Sequence, residues 1–299
     1  MADRVDKNWQ KGGLKGYSTE AILGTLSHYG AKVDEAGYRK LAAESYPMAI
    51  ATQWHEGWKG TGQFARFPFA AAEELWSRWE KERLLPSALA EKLGALIVAL
   101  SQLHEGRADA PVGIAFKDLE ALKARIPQKD GGAEEKFVQE AFALLGEHMI
   151  RAFDELAEQL AKAGHPDDAE EFAKVEEFLV PTRAGVSVAI VKAATGKRDE
   201  AVTELEKIAG DSSRPGYGRL TAIDALIHLG SDKAKGFAES LLTEAEKSED
   251  HHLGLGVVGR LAHVLDKQSD VAGMRSLEER ARKLSAAHDQ AHPHHKHGH

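Results

Sequence analysis

The sequence predicts an all-α fold in which short helix hairpins repeat along the second half of the chain. Alanine and glutamate are abundant and runs of β-branched residues are few, which favours helices over strands. Amphipathic helices in that half are interrupted at residues 164, 196, 230 and 267, which are 32, 34 and 37 residues apart. A period near ~34 residues, with one hairpin per unit, is typical of a helical repeat array.

The clearest hairpin occupies residues 183–208, and Gly196 marks its turn. Glycine can adopt the left-handed conformation that ends a helix because it has no Cβ. Asp199 and Glu200 then fall in the first turn of the next helix, where negative charge suits the helix dipole. The first helix carries an apolar stripe at helical spacing, formed by Val186, Ala189, Ile190 and Ala193.

Similar breaks stand on either side of this hairpin. Gly164 and Gly230 each follow an apolar helical stripe and precede aspartates that suit a helix start. The fourth break, near Lys267, has no glycine and separates the apolar runs 253–265 and 271–284. The nearly continuous helical pattern of residues 133–163 is compatible with one long helix or with two helices that meet near Gly146.

Residues 196–201, Gly-Lys-Arg-Asp-Glu-Ala, together with Leu205 resemble the turn and second helix of a tetratricopeptide repeat. Residues 164–169 are similar, and the resemblance covers residues 147–288, about half of the chain. The aromatic residue that the family has in its first helix is missing from the unit at Arg183, and the closing proline is displaced to Pro215. HEAT-like hairpins, unclassified helix hairpins and an ordinary helical bundle therefore remain alternatives.

The resemblance implies a non-enzymatic scaffold or adaptor that binds a protein or peptide partner in a groove lined by the first helices of the units. Arg151 and Arg183 would hold an acidic side chain or a C-terminal carboxylate, because guanidinium binds carboxylate through two hydrogen bonds. For any single residue, an exposed charge on a solvated helix face is the alternative. The groove positions implied are Arg151, Asp154, Glu158, Arg183, Val186, Tyr217, Asp224 and His228.

The first half of the chain has a different kind of core. All five tryptophans precede residue 80, and the helical patterns there are less regular in length. We therefore expect an aromatic-rich helical domain over residues 1–130, a helical-repeat domain over 133–288 and a disordered, histidine-rich tail over 289–299. Within the first domain, the pattern predicts helices that include residues 48–54, 69–84 and 117–126, and one that opens at Pro86.

An irregular stretch at residues 54–68 suggests a second hypothesis, an enzyme site or small-molecule pocket. Aromatic rings could line a pocket, and a histidine can act as a general base near neutral pH. Adjacent residues on a helix do not face each other, so His55 and Glu56 are not a catalytic pair by sequence alone. A structural loop anchored by its aromatic rings is the alternative. The pocket residues would be Trp54, His55, Glu56 and Trp58.

The tail suggests a third hypothesis, the handling of Ni²⁺, Zn²⁺ or Cu²⁺. Residues 288–299 contain six histidines in twelve positions, and imidazole is a common ligand of these ions. An incidental or engineered terminus, or a role in solubility or partner contact, would explain the same composition. No other cofactor is expected. The candidate ligands are His292, His294, His295, His297 and His299.

Charge and composition argue against several classes of function. The net charge is −8, and residues 147–299 hold 20 basic and 27 acidic side chains. We therefore expect neither nucleic acids nor anionic membranes as partners, because both need clustered Lys and Arg. The chain has no cysteine and no common catalytic motif, so we expect no enzyme. It also lacks a membrane-length apolar run and a signal-peptide pattern, which predicts a cytoplasmic protein.

Overall fold

The computed structural model describes residues 4–107 and 109–291, and in this part of the chain the fold is all-α, as predicted. It contains sixteen α-helices, two short 3-10 helices and one hairpin of two-residue strands. The chain divides into two compact units, Met1–Asp154 and Glu155–His299. The domain boundaries inferred from the sequence stay a prediction.

The first unit contains eight complete helices and a small β-hairpin. Strands β1 (Gln128–Lys129) and β2 (Gly132–Ala133) pair in antiparallel fashion. Ser18 and Asp34 begin α2 and α3 by accepting hydrogen bonds from backbone amides three residues later. The helices are α1 (Trp9–Gly12), α2 (Thr19–His28), α3 (Glu35–Ala42), α4 (Pro47–His55), α5 (Phe67–Trp79), α6 (Pro86–His104), α7 (Val112–Lys123) and α8 (Glu135–Leu145).

The helix predicted over residues 69–84 is shorter, because α5 ends at Trp79. The Arg83 guanidinium lies 4.3 Å above the Trp76 ring and also donates a hydrogen bond to the carbonyl oxygen of Ala42. These two contacts hold the segment after α5 in a turn rather than in a continued helix. Helix α7 begins at Val112, earlier than predicted, and the four-residue α1 was not predicted.

Aromatic rings and one buried carboxylate connect the helices of the first unit. The Tyr46 ring packs against Trp76 and Phe137, with centroids 5.6 and 5.3 Å away. Glu140 of α8 is buried, and its two carboxylate oxygens accept hydrogen bonds from the backbone amides of Met48 and Ala49 at 2.9 and 2.8 Å. Glu140 therefore caps the N-terminus of α4 from another helix.

The remaining helices follow the predicted breaks. Gly146 has φ +79° and separates α8 from α9, so residues 133–163 form two helices. Gly164, Gly196 and Gly230 have φ values of +92°, +91° and +68°, which confirms the three glycine turns. The helices are α9 (Glu147–Lys162), α10 (Pro166–Leu179), α11 (Val186–Ala194), α12 (Arg198–Gly210), α13 (Gly216–His228), α14 (Ala234–Lys247), α15 (His251–Lys267) and α16 (Val271–Ala291).

The fourth turn, after Lys267, reverses the chain without a glycine. Helix α15 ends at Lys267, where the sequence pattern placed the break. Ser269 adopts the left-handed conformation with φ 55°, and Asp270 accepts a hydrogen bond from the amide of Gly273 at 2.8 Å. The aspartate begins α16 and supports the strained turn.

Helices α10–α16 pack in chain order. Each helix contacts the next one, and α11 also contacts α13, α12 contacts α14, and α13 contacts α15. One apolar core runs continuously from Val186 of α11 to Leu284 of α16. Contacts to the next helix and to the next but one are what stacked hairpins produce, so this part of the chain is a helical array that is compatible with a repeat.

Candidate functional site

The start of α13 meets the 3-10 helix Pro181–Arg183, and the contact brings together the segments that carry Arg183 and Tyr217. Gly218 is buried, and a Cβ at this position would lie 3.5 Å from the Thr182 carbonyl oxygen. Arg214 Nη1 donates a hydrogen bond to the Ala184 carbonyl oxygen at 2.8 Å. The loop before α13 is therefore fastened to the segment before α11.

Tyr217 is the exposed aromatic residue of this region, with 47% of its surface accessible. Partial burial raises the pKa of its hydroxyl, and the negative charge of Asp250 raises it further. Asp250 is held at the start of α15, where it accepts a hydrogen bond from the Leu253 amide at 3.0 Å. We define the 183/217 surface as Arg183, Arg214, Tyr217 and Asp250.

Arg183 is less available than the sequence suggested. Its Nη1 lies 3.2 Å from Glu176 Oε1, and Glu176 is only 2% exposed. The Arg183 guanidinium therefore neutralises the buried carboxylate of Glu176. Arg151 and Asp154 belong to the other unit, where Arg151 is exposed and ion-paired with Glu147. A carboxylate site shared by Arg151 and Arg183 stays a prediction.

Glu158 and His228, 70 residues apart in sequence, meet in the second unit. His228 Nε2 lies 3.0 Å from Glu158 Oε1, and Lys162 Nζ lies 2.6 Å from the same oxygen. Burial alone would raise the pKa of the Glu158 carboxyl, but hydrogen bonds from Lys162 and His228 outweigh it and lower the pKa below its ordinary value. The contact between Glu158 and His228 joins α9 to α13.

Asp224 is also engaged within the array. Arg260 of α15 binds its carboxylate through two nitrogens, with Nε–Oδ1 and Nη2–Oδ2 distances of 2.9 Å. This bidentate pair connects the first helices of neighbouring hairpins. The prediction that Val186 lines the groove is wrong, because Val186 is 1% exposed and lies in the apolar core. Its side chain cannot face a partner, and we leave it out of the candidate surface.

A cleft of about 530 Å³ that the sequence analysis did not identify lies beside α13 and α14. Arg219, 5% exposed, lines it, donates from Nε to the Ala209 carbonyl oxygen at 3.1 Å and binds the Glu244 carboxylate through both terminal nitrogens. This pairing lowers the pKa of Glu244. The only sequence signal was a charged residue inside the apolar helical run 218–227. The other lining residues are Gly210, Ser212, Asp232, Lys233, Gly236, Phe237 and Ser240.

The aromatic loop of the first unit is tightly packed. Trp58 Nε1 donates a hydrogen bond to the Phe64 carbonyl oxygen at 2.8 Å, and its ring stacks on Phe67 at a centroid distance of 6.2 Å. The Trp54 ring contacts Tyr38 at 6.0 Å. The two tryptophans thus anchor the loop, as the structural alternative predicted.

His55 and Glu56, the two titratable residues of that loop, are both exposed and stand at the end of α4. The His55 ring lies 5.9 Å from Phe69. Their exposure gives neither side chain the desolvated setting that tunes a catalytic acid or base. The hypothesis of a pocket at this loop stays a prediction without geometric support.

The candidate metal ligands His292, His294, His295, His297 and His299 lie outside the described residues. Within residues 4–107 and 109–291, no group of three or more His, Cys, Asp or Glu side chains is arranged to hold a metal ion. In the same part of the chain, no helix combines the length and the apolar character needed to cross a membrane.

Three comparisons with known proteins found no match to this chain. No protein-family model matches the chain, and no curated protein matches it. No solved structure matches it either.

Proposed function

We propose that this chain is a non-enzymatic scaffold that binds a protein or peptide partner at the 183/217 surface. The observation that carries the proposal is Tyr217, an aromatic side chain nearly half exposed at a helix start that is fastened to the segment before α11. Tyrosine and arginine dominate the binding energy of protein interfaces, and a rigid backbone lowers the entropy cost of using them.

The helical array supports this role. Hairpins stacked in chain order produce an extended surface on which a partner can lie without any catalytic group. The resemblance of residues 147–288 to tetratricopeptide repeats points the same way, since its first helices would line the groove. In this proposal, the Asp224–Arg260 ion pair and the Glu158–His228 contact hold the first helices in register, and the partner contacts Tyr217 together with the guanidinium groups of Arg183 and Arg214. We place the protein in the cytoplasm.

The charge of the surface suggests the chemistry of the bound segment. Arg214 precedes the tyrosine by three residues, Arg183 belongs to the 3-10 helix that contacts α13, and the negative charge of Asp250 acts on the Tyr217 hydroxyl. An extended peptide with an aromatic or aliphatic side chain next to a carboxylate would satisfy both the ring and the guanidinium groups. This is the partner that the proposal predicts, and its carboxylate is either an acidic side chain or a peptide C-terminus.

A peptide selection tests the proposal. Peptides enriched by phage display on the full chain are synthesised, and their Kd values are measured by fluorescence anisotropy for the wild type, Tyr217→Ala and Val271→Ala. Val271, 64% exposed in the same unit, is the matched control. Loss of a central aromatic contact should weaken binding about tenfold or more, while the control retains it.

Two results would contradict the proposal: no peptide is enriched, or the enriched peptides bind Tyr217→Ala as tightly as the wild type. Tyr217→Ala is the primary variant because Arg183→Glu would also leave the buried Glu176 without its cation. Amidation of the peptide C-terminus distinguishes a terminal carboxylate from an acidic side chain.

A further inference from the structure

The cleft beside α13 and α14 has a buried cation in its wall. Arg219, which lines the cleft, donates from Nε to the Ala209 carbonyl oxygen and from both terminal nitrogens to the Glu244 carboxylate. These contacts use three of its five N–H groups. Because a guanidinium keeps its charge at every physiological pH, this buried cation always needs an anion beside it.

The two members of this ion pair differ in how firmly they are held. Arg219 is buried, whereas the Glu244 side chain is 47% exposed and reaches the arginine from the solvent side. A rotation about its side-chain bonds would return the Glu244 carboxylate to water, where it is well hydrated. The Arg219 guanidinium has no such alternative. A carboxylate from another molecule can therefore replace Glu244 without changing the number of buried charges.

An aromatic ring and open space complete the cleft. Phe237, Ser240 and Glu244 all line it, and their spacing of three and four residues puts them on one face of α14. Phe237 packs against the apolar core, and a Cβ added at Gly210 would lie 3.3 Å from its ring. A Cβ added at Gly236 would meet no atom within 4 Å. The volume of about 530 Å³ lies within the range of about 300–1,000 Å³ that small-molecule sites occupy.

We propose that this cleft binds a small organic carboxylate that carries an aromatic ring. The ligand's carboxylate pairs with Arg219 in place of Glu244, and its ring packs against Phe237. A cationic ligand would instead be repelled by the buried guanidinium, which cannot lose its proton. The site goes beyond the scaffold function and is separate from the 183/217 surface, because the two share no residue.

Benzoate is the probe that tests the proposal. It is titrated, by ligand-observed NMR at constant ionic strength, into four full-length proteins: the wild type, Gly236→Leu, Glu244→Gln and the control Gly259→Leu. Gly236→Leu adds a side chain at the wall of the cleft, and Glu244→Gln removes the competing charge. Gly259 matches Gly236, since both are exposed helical glycines of the second unit with open space at the Cβ position. Circular dichroism checks that each variant folds.

We expect one benzoate to bind the wild type and Gly259→Leu with equal affinity. Gly236→Leu should bind it about tenfold more weakly or worse, because the leucine occupies space that the ring needs. Glu244→Gln should bind it about tenfold more tightly, because the ligand no longer competes with a charged acceptor. Benzoate should also raise the unfolding midpoint of Glu244→Gln more than that of the wild type. Acetate should bind about tenfold more weakly than benzoate, since it has no ring.

Several results would overturn the proposal: a wild type that does not bind benzoate, a Gly236→Leu variant that binds it as tightly as the wild type, or a Glu244→Gln variant that binds it no more tightly. Inorganic phosphate that binds as tightly as benzoate would overturn the ligand class. If Glu244→Gln fails to fold, Ser240→Asp replaces it. This variant adds a carboxylate to the same wall and should weaken benzoate binding about tenfold, and unchanged affinity would contradict the proposal.

Discussion

Three glycines of α15 offer a direct test of the stacking of the array. A methyl group added at Gly254 would lie 3.1 Å from both terminal carbons of Leu284, within the last hairpin. One added at Gly256 would lie 3.2 Å from Leu220 of α13, in the preceding hairpin. One added at Gly259 would have no atom of another segment within 4 Å. The same substitution in one helix thus probes three different neighbours.

The magnitudes follow from two opposing effects. Replacing glycine by alanine inside a helix gains about 1 kcal/mol in the free energy of unfolding. Forcing an extra methyl into a packed core costs about 1–3 kcal/mol. Gly259→Ala should therefore stabilise the second unit by about 1 kcal/mol, whereas Gly254→Ala should lose up to about 2 kcal/mol. Gly256→Ala, which meets a single carbon atom, should fall between them.

Urea unfolding measured by far-UV circular dichroism gives these differences. All five tryptophans lie in the first unit, so tryptophan fluorescence provides an internal control whose midpoint should not move. The reasoning is refuted if Gly256→Ala gains as much stability as Gly259→Ala. That result would mean that the first helices of neighbouring hairpins are not in close contact.

Four further predictions concern buried or paired charges. Glu140→Ala should destabilise the first unit by about 1–3 kcal/mol more than Glu140→Gln does, since alanine leaves two capped amides without an acceptor; urea unfolding followed by tryptophan fluorescence measures this. Burial raises the pKa of Glu140, so its ionisation lowers the free energy of unfolding at neutral pH. As the pH falls from about 7 toward the ordinary value of 4.5, the free energy of unfolding of the wild type should therefore rise relative to that of Glu140→Gln. A constant difference between the two proteins across this range would contradict the assignment. Glu244→Gln should cost about 1–3 kcal/mol because the buried Arg219 loses its carboxylate, which circular dichroism during urea unfolding detects. A double-mutant cycle on Asp224 and Arg260 should show coupling of about 1 kcal/mol or less that weakens at high salt, because both side chains are partly exposed.

Turns were the part of the fold that the sequence predicted best. Gly164, Gly196 and Gly230 mark positions with positive φ, which few other residues tolerate. Ser269 and Glu249 adopt the same conformation without glycine and are invisible to that criterion. At both positions the next amide closes the turn locally, since Asp270 donates to the Leu265 carbonyl oxygen and Asp250 to that of Ala245.

The site was predicted less well because helical spacing locates a stripe but not its neighbour. Val186 shares its apolar stripe with residues that could face either a core or a groove, and only the packing of α13 against α11 decides between them. From the sequence alone Arg219 would be placed on the surface, because the carboxylate that balances its buried charge belongs to Glu244, 25 residues away. Asp224 and Arg260 are 36 residues apart, so their pairing required the stacking of α13 and α15.

Hydrogen exchange with and without a selected peptide tests the central claim, that partners bind the helical array at the 183/217 surface. The account predicts slower amide exchange in residues 181–186 and 211–221 when the peptide is bound, and unchanged exchange in residues 54–68. Protection of the aromatic loop at residues 54–68, with none at the start of α13, would contradict it and would place the binding site in the first unit.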